Sequence, residues 1–226
     1  EYIIHLAAQA GVRYSIDHPK TYVDSNLVGT FRILEFAKKI KIKHLLMASS
    51  SSVYGDAEMP TAETHPFAPK SPYGLQKKIG EDYLKLFTEI YDIKGVALRY
   101  FNVYGEGMPL GGAYATAIGI FFNQVRNGEK ITIFGDGEQT RDFTYVKDVV
   151  KVISWFINNP NKNGLFNVGS GLPRSFKDVA NAVFRNFNYP KKITYIKTPE
   201  NIRNQYQYFT KAEISKLRKV GFNDKF

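Results

Sequence analysis

The run His44-Leu45-Leu46-Met47-Ala48-Ser49-Ser50-Ser51-Ser52-Val53-Tyr54-Gly55, followed after a loop by Pro72-Tyr73-Gly74-Leu75-Gln76-Lys77, decides how this chain is built. A strand-length apolar stretch breaks into four serines. A segment punctuated by Pro60, Pro66, Pro69 and Pro72 then reads as loop. Residues 73–91 read as a long helix, with Ile79, Tyr83, Leu86 and Ile90 on one stripe. Working outward, residues 3–8, 43–49 and 95–100 read as strands, and residues 26–39 as a helix carrying Leu27, Phe31, Leu34 and Ala37 at helical spacing. Strands alternating with helices predict an α/β fold: a doubly wound parallel sheet covered on both faces. Its chemistry belongs beyond the carboxyl ends of the strands. The serine cluster and Asn102-Val103-Tyr104-Gly105 both fall there.

From Gly107 the texture changes. Glycines cluster at Gly107, Gly111 and Gly112. Helices are then expected over 114–127, 148–158, 176–186 and 211–220, with strands over 130–134, 165–168 and 193–196. We read 1–106 as one domain and 107–226 as mainly a second, smaller α/β lobe, with the chain free to cross back to the first. The opening Glu1-Tyr2-Ile3-Ile4-His5 reads as a strand in mid-flow, and Gly221-Phe222-Asn223 leads to an equally abrupt end. Both suggest a fragment.

Composition narrows the functional classes. Hydrophobic residues make up 43% and charged residues 23% of 226, which is globular rather than disordered. The absence of Cys excludes disulfides, thiolate nucleophiles and Cys-ligated metals. His5, His18, His44 and His65 are scattered without metal-ligand spacing, so no metal is expected. The apolar runs are strand-sized, well short of the roughly 18 residues of a membrane span. The net charge of +10 has two readings: an anionic partner, or a lysine-rich surface. The basic residues are spread out, as at Lys38, Lys39, Lys41 and Lys43, without the dense block of a nucleic-acid site. The surface reading leads, and a small phosphorylated ligand comes second.

Tyr73 and Lys77 lie four apart at a helix start and share a face. A phenol, with its usual pKa near ~10, is a poor base at neutral pH. A nearby ammonium favours the phenolate. A serine at the preceding strand end can hydrogen-bond the same substrate oxygen. Such Tyr/Lys pairs are common on amphipathic helices, so the pair alone says little. The serine run, the Pro-Tyr-Gly helix start and Arg99-Tyr100-Phe101-Asn102-Val103-Tyr104-Gly105 add the weight.

Together these motifs resemble the extended short-chain dehydrogenase/reductase family, specifically its NAD(P)-dependent nucleotide-sugar epimerases, over essentially the whole chain. The resemblance implies a Rossmann-like first domain and a substrate-binding second lobe. It implies Ser50, Tyr73 and Lys77 as catalytic residues. Leu6, Ala7, Ala8, Asn26, Ser49, Tyr73, Lys77 and Tyr100 would contact the cofactor, taken as NAD with NADP not excluded. Ser50, Ser52, Asn102, Phe134 and Arg141 would contact the nucleotide-sugar. The implied mechanism is transient oxidation. Tyr73 removes a hydroxyl proton as hydride leaves the sugar carbon, the keto sugar turns, and hydride returns to its other face. Arg141, within Gly135-Asp136-Gly137-Glu138-Gln139-Thr140-Arg141-Asp142-Phe143, anchors the diphosphate. Relatives that are 4,6-dehydratases carry an Asp-Glu pair where Ser51 and Ser52 stand, and the decarboxylases carry Glu at Ser52. No carboxylate occurs between Ala48 and Gly55.

For the substrate, Ala7-Ala8-Gln9-Ala10-Gly11-Val12-Arg13-Tyr14-Ser15 is similar to UDP-hexose and UDP-hexuronate 4-epimerases. Tyr206-Gln207-Tyr208-Phe209-Thr210-Lys211-Ala212-Glu213 is similar to ADP-glycero-manno-heptose 6-epimerases instead. Arg203 is a second candidate phosphate contact, balanced by its reading as an exposed surface arginine. The glycine-rich phosphate loop and the ribose-reading residue are absent from the sequence, which implies weak dinucleotide binding by the chain as given. The family resemblance further implies a homodimer in the cytoplasm, with no nucleic-acid or membrane partner. The rival class is a non-catalytic, dinucleotide-sensing relative, for which an intact Ser50, Tyr73 and Lys77 would have no use.

Overall fold

The computed structural model of the chain describes residues 1–112, 114–200 and 206–226. In order, the first half holds β1 (Tyr2–His5), α1 (Val12–Asp17), α2 (Pro19–Tyr22), a π-helical turn (Val23–Val28), α3 (Gly29–Lys39), β2 (His44–Ser50), α4 (Pro72–Tyr91) and β3 (Gly95–Tyr100). Next come β4 (Val103–Tyr104), α5 (Ala117–Arg126), β5 (Ile131–Phe134), β6 (Thr140–Arg141), β7 (Thr144–Tyr145) and α6 (Val146–Asn158). The described chain ends with β8 (Gly164–Val168), β9 (Arg174–Ser175), α7 (Phe176–Phe187), β10 (Ile193–Ile196) and α8 (Ser215–Lys219).

Four parallel strands in the order β1-β2-β3-β8 form the main sheet, as the alternation predicts. Its register sets Ser50 beside Tyr100, and Tyr100 beside Val168. On one face Leu34, Ala37, Leu84 and Phe87 from α3 and α4 pack against Leu45, Met47 and Ala97. On the other, Val149, Val152, Ile153 and Phe156 of α6 and Leu217 of α8 pack against Leu46, Val96, Leu98 and Phe166. β2 and β3 carry near-continuous apolar runs because both faces are covered. A second core joins Phe121 and Val125 of α5, Ile131 and Ile133 of β5, and Val179, Val183 and Phe184 of α7.

Three expectations are corrected. The first strand ends at His5 rather than at residue 8. The helix expected from residue 26 continues a π-helical turn that begins at Val23. The helix expected over 211–220 shrinks to Ser215–Lys219 because the preceding backbone pairs elsewhere. Thr61 N–H donates to Lys211 O at 2.9 Å, and Glu213 N–H to Thr61 O at 2.9 Å. A chain whose amides are engaged sideways cannot also close helical turns.

α4 positions the chemistry. Ser71 caps it, its hydroxyl accepting from Gly74 N–H at 3.1 Å, and Pro72 sits at the first helical position. Gly74 lies against the serine turn so closely that a Cβ there would stand 2.5 Å from Ser52 O. Only glycine allows that approach. Gly55, at φ +63°, closes the turn where a Cβ would meet Ala68 O at 1.9 Å.

Candidate active site

The carboxyl ends of β2 and β3, the start of α4 and the glycine-rich segment after β4 enclose an open cleft of about 1190 Å³. Leu6, Ala8, Ser49, Ser50, Ser52, Tyr73, Lys77, Tyr100, Asn102, Phe134 and Arg141 all line it. Eleven of the thirteen residues singled out by sequence therefore meet at one surface. The other two do not line it. Ala7 is exposed beside it. Asn26 is buried, its Oδ1 accepting from Gln9 N–H at 2.8 Å and its Nδ2 donating to Gln9 O at 3.0 Å and Gln76 Oε1 at 3.2 Å. Asn26 thus ties the segment after β1 to α4. Arg203 lies outside the described residues.

Ser50 ends β2, and its hydroxyl donates to Ser52 Oγ at 3.1 Å and accepts from Ser52 N–H at 3.2 Å. Tyr73, at the top of α4, lines the same wall as Ser50. Burial pushes the Tyr73 phenol above its ordinary range, and the neighbouring Ser50 hydroxyl pulls the other way. The expected lowering by Lys77 therefore does not win in the protein alone. Lys77 lies one turn below, its Nζ 5.8 Å from the Tyr73 ring centre and donating to Ala48 O at 2.9 Å. Burial lowers Lys77 to about 8, opposed by Glu81. Lys77 still carries its proton at neutral pH.

Tyr73 is held from its backbone as well. The hydroxyl of the fully buried Ser15, on α1, accepts from Tyr73 N–H at 3.3 Å and donates to Val12 O at 2.6 Å. This satisfies one of the amides a helix start leaves open. Sequence reasoning quoted Ser15 only as the end of the 7–15 run and gave it no role, because its partner on α4 is distant in the chain.

At the far end, Arg141 on β6 donates to Thr140 O at 2.9 Å and Tyr208 O at 3.1 Å, its guanidinium lying over the Phe176 and Tyr206 rings. Its neighbour Asp142 is fully buried and anchors the surrounding turns. Oδ1 accepts from Ser170 N–H at 2.7 Å, and Oδ2 from Gly171 N–H and Ala212 N–H, both at 2.9 Å. Asn102 donates to Thr210 Oγ1 at 3.2 Å, and Phe134 lies under the Arg13 guanidinium at 5.8 Å. The charged residues lining the cleft are Arg13, Lys70, Lys77 and Arg141 against Asp17, so it favours an anion. Among the described residues no cluster of His, Asp and Glu could hold a metal ion.

A parallel sheet whose strand-end serine meets a Tyr and a Lys one helical turn apart is the frame of an extended short-chain dehydrogenase/reductase. The chain belongs to the NAD dependent epimerase/dehydratase family, whose pattern its residues 1–169 match. It is 39% identical over 216 residues to a Methanocaldococcus jannaschii protein to which UDP-glucose 4-epimerase activity is ascribed, covering 94% of this chain and 70% of that one. It is 38% identical to the ADP-L-glycero-D-manno-heptose-6-epimerase of Brachyspira hyodysenteriae over 211 residues, 92% of this chain and 66% of that one. Among solved structures, the UDP-N-acetylglucosamine 4-epimerase of Methanobrevibacter ruminantium, in complex with UDP-N-acetylmuramic acid, superposes with a TM-score of 0.92. Its sequence identity is 35%, and the match covers all of this chain and 71% of that one. The chain thus spans about two thirds of the length of these relatives.

Proposed function

We propose that the protein is a nucleotide-sugar epimerase that uses NAD to invert C4 of a UDP-hexose or UDP-hexuronate. The observation that carries this reading is the meeting of Ser50, Tyr73 and Lys77 on one wall of a cleft whose charge favours an anion. A binding protein that only senses dinucleotide needs no such trio.

The residues present fit the nicotinamide half of NAD. The Tyr100 hydroxyl is buried without a partner among the described residues, in the wall shared with Leu6, Ala8, Ser49 and Lys77. Bound NAD supplies a hydride acceptor that returns what it takes. The chain's residues handle the rest. Ser50 Oγ holds the sugar hydroxyl in line with Tyr73. Tyr73 Oη takes the proton and later gives it back. Lys77 lends the positive charge that makes the phenolate accessible. Arg141 grips the diphosphate through a planar guanidinium suited to paired oxygens, so the nucleotide stays while the sugar turns.

The test is product analysis with full-length protein and NAD, offering UDP-glucose, UDP-glucuronate and ADP-heptose in parallel. Interconversion of a UDP sugar at C4, lost in Tyr73→Phe with cofactor binding retained, supports the reading. Inversion of ADP-heptose alone favours the second reading, which rests on the Brachyspira relative. Bound NAD with no epimer from any substrate refutes both and supports the sensor. The apolar residues Phe31, Phe36, Leu86 and Ile90, exposed on α3 and α4, support a homodimer, checked by sedimentation. A nucleotide-linked substrate supports action in the cytoplasm.

A further inference from the structure

Glu81 lies one turn beyond Lys77 on α4, with its side chain 6% exposed. The Arg99 side chain on β3 is fully buried and grips that carboxylate with both arms. Nε donates to Glu81 Oε1 at 2.9 Å and Nη2 to Oε2 at 2.7 Å. The Ser49 hydroxyl donates to Oε1 as well. The remaining arm, Arg99 Nη1, donates to Tyr54 Oη at 2.7 Å, and the Tyr54 hydroxyl donates to Asn167 Oδ1 at 2.6 Å. Asn167, on β8, donates its backbone N–H to Glu63 Oε1 at 2.8 Å and its Nδ2 to Thr61 O at 2.8 Å. One buried network therefore fastens α4 to the ends of β2, β3 and β8.

A buried ion pair is a poor source of stability, because desolvation offsets the attraction. It is a good source of fixed geometry, because every member is satisfied and the low dielectric stiffens the whole chain of bonds. Here the fixed point lies directly behind the reacting groups. Ser49 separates Ala48, whose carbonyl holds Lys77, from Ser50, which meets Tyr73.

We propose that Glu81, locked to Arg99, is a positioning residue of this site: it holds the Ala48–Ser50 strand end and Lys77 in register beneath Tyr73. The proposal rests on the epimerase reading above. Its action on Lys77 is both mechanical and electrostatic. The charged and titratable groups around Lys77 are Tyr73 and Glu81 on α4, His5 on β1, and Arg99 and Tyr100 on β3. His5 is kept neutral by burial and by Lys77 itself. Glu81 is the carboxylate that favours the ammonium.

The experiment is Glu81→Gln in the full-length protein, with Glu81→Asp beside it. Lys77 is followed by lysine-selective NMR, assigned with Lys77→Met, and kcat and KM are taken across pH. In Glu81→Gln the Lys77 titration and the alkaline limb of kcat move down by about one pH unit. We expect kcat near pH 7.5 to fall about tenfold, with KM for the sugar nucleotide within about twofold. Glu81→Asp keeps the charge and returns the alkaline limb to its wild-type position. An unmoved Lys77 titration overturns the proposal, as does a loss of kcat that is uniform in pH. Should Glu81→Gln fail to fold, the double variant Glu81→Gln with Arg99→Met removes the stranded cation and is read the same way. A double variant that is also unfolded assigns Glu81 to the fold alone and overturns the proposal. If the wild-type protein turns over no sugar nucleotide, the epimerase reading fails, while the Lys77 titration still decides whether Glu81 governs that ammonium.

Discussion

Replacing Gly74 with alanine tests how the site is spaced. The added Cβ would stand 2.5 Å from Ser52 O, 3.2 Å from Ser52 C and 3.2 Å from Pro69 Cβ. A comfortable carbon–oxygen approach is about 3.4 Å, so the helix or the serine turn must yield by about 0.9 Å. The nearest obstacle is backbone, which has no rotamer to change. Two effects on stability oppose each other. Alanine in a helix gains about 1 kcal/mol over glycine, and overpacking costs about 1–3 kcal/mol. The net loss is about 0–2 kcal/mol, a fall in Tm of about 0–8 °C for a chain of this size. The effect on catalysis is larger. Tyr73 and Ser50 are carried by the two elements being pushed apart, and a misplacement near 1 Å costs about a hundredfold in rate. We expect Gly74→Ala to remain folded by circular dichroism, with kcat down about a hundredfold. A folded variant with wild-type kcat would refute the view that this contact sets the Ser50–Tyr73 distance.

Ser15→Ala removes the acceptor of Tyr73 N–H; a loss of about 1–2 kcal/mol in urea unfolding is expected, with kcat reduced more than KM is raised. Asp142→Asn turns an acceptor of buried N–H groups into a partial donor, so unfolding should lose about 2–3 kcal/mol, read as a clear fall in Cm. Lys77 is depressed to about 8 in the folded chain from an unfolded value near 10.5. The unfolded state therefore binds more protons between those values, and wild-type stability relative to Lys77→Met should rise as pH climbs from 8 towards 10. A flat difference across that window would contradict a buried ammonium. Arg141→Lys keeps the charge and loses the paired geometry, so KM for the sugar nucleotide should rise about tenfold.

Much of this was legible in the sequence for physical reasons. β2 and β3 are covered on both faces, so their apolar runs are unbroken and their ends are marked by serine and asparagine. α4 announces itself by the Pro72-Tyr73-Gly74 start and by apolar residues at helical spacing, while its cap at Ser71 emerged only in the structure. Tyr73 and Lys77 could be paired because helical spacing is a local rule. What stayed hidden was non-local. Asn26 looked like a cleft residue and is spent on Gln9 and Gln76, a choice made by the path of the chain after β1. Arg99 sat inside an apolar strand with no hint that Glu81, eighteen residues earlier, would neutralise it. The segment 206–213 has helix-compatible composition beyond Thr210, yet its amides are taken by Thr61 of the loop before α4 and by Thr140 of β6. Pairing of that kind overrides propensity and leaves no periodic trace.

That same segment has a mechanical consequence. Bridges at Thr61–Ala212 and Thr140–Phe209, with Gln207 Nε2 donating to Gly55 O at 2.5 Å, stitch the loops of one core to the turns of the other. A cleft between two cores ordinarily opens on a hinge. Here the closing thread crosses the gap itself, so widening it means tearing ladder-like pairs rather than bending a joint. The two walls should therefore hold their spacing, and the two cores should melt together in a single transition.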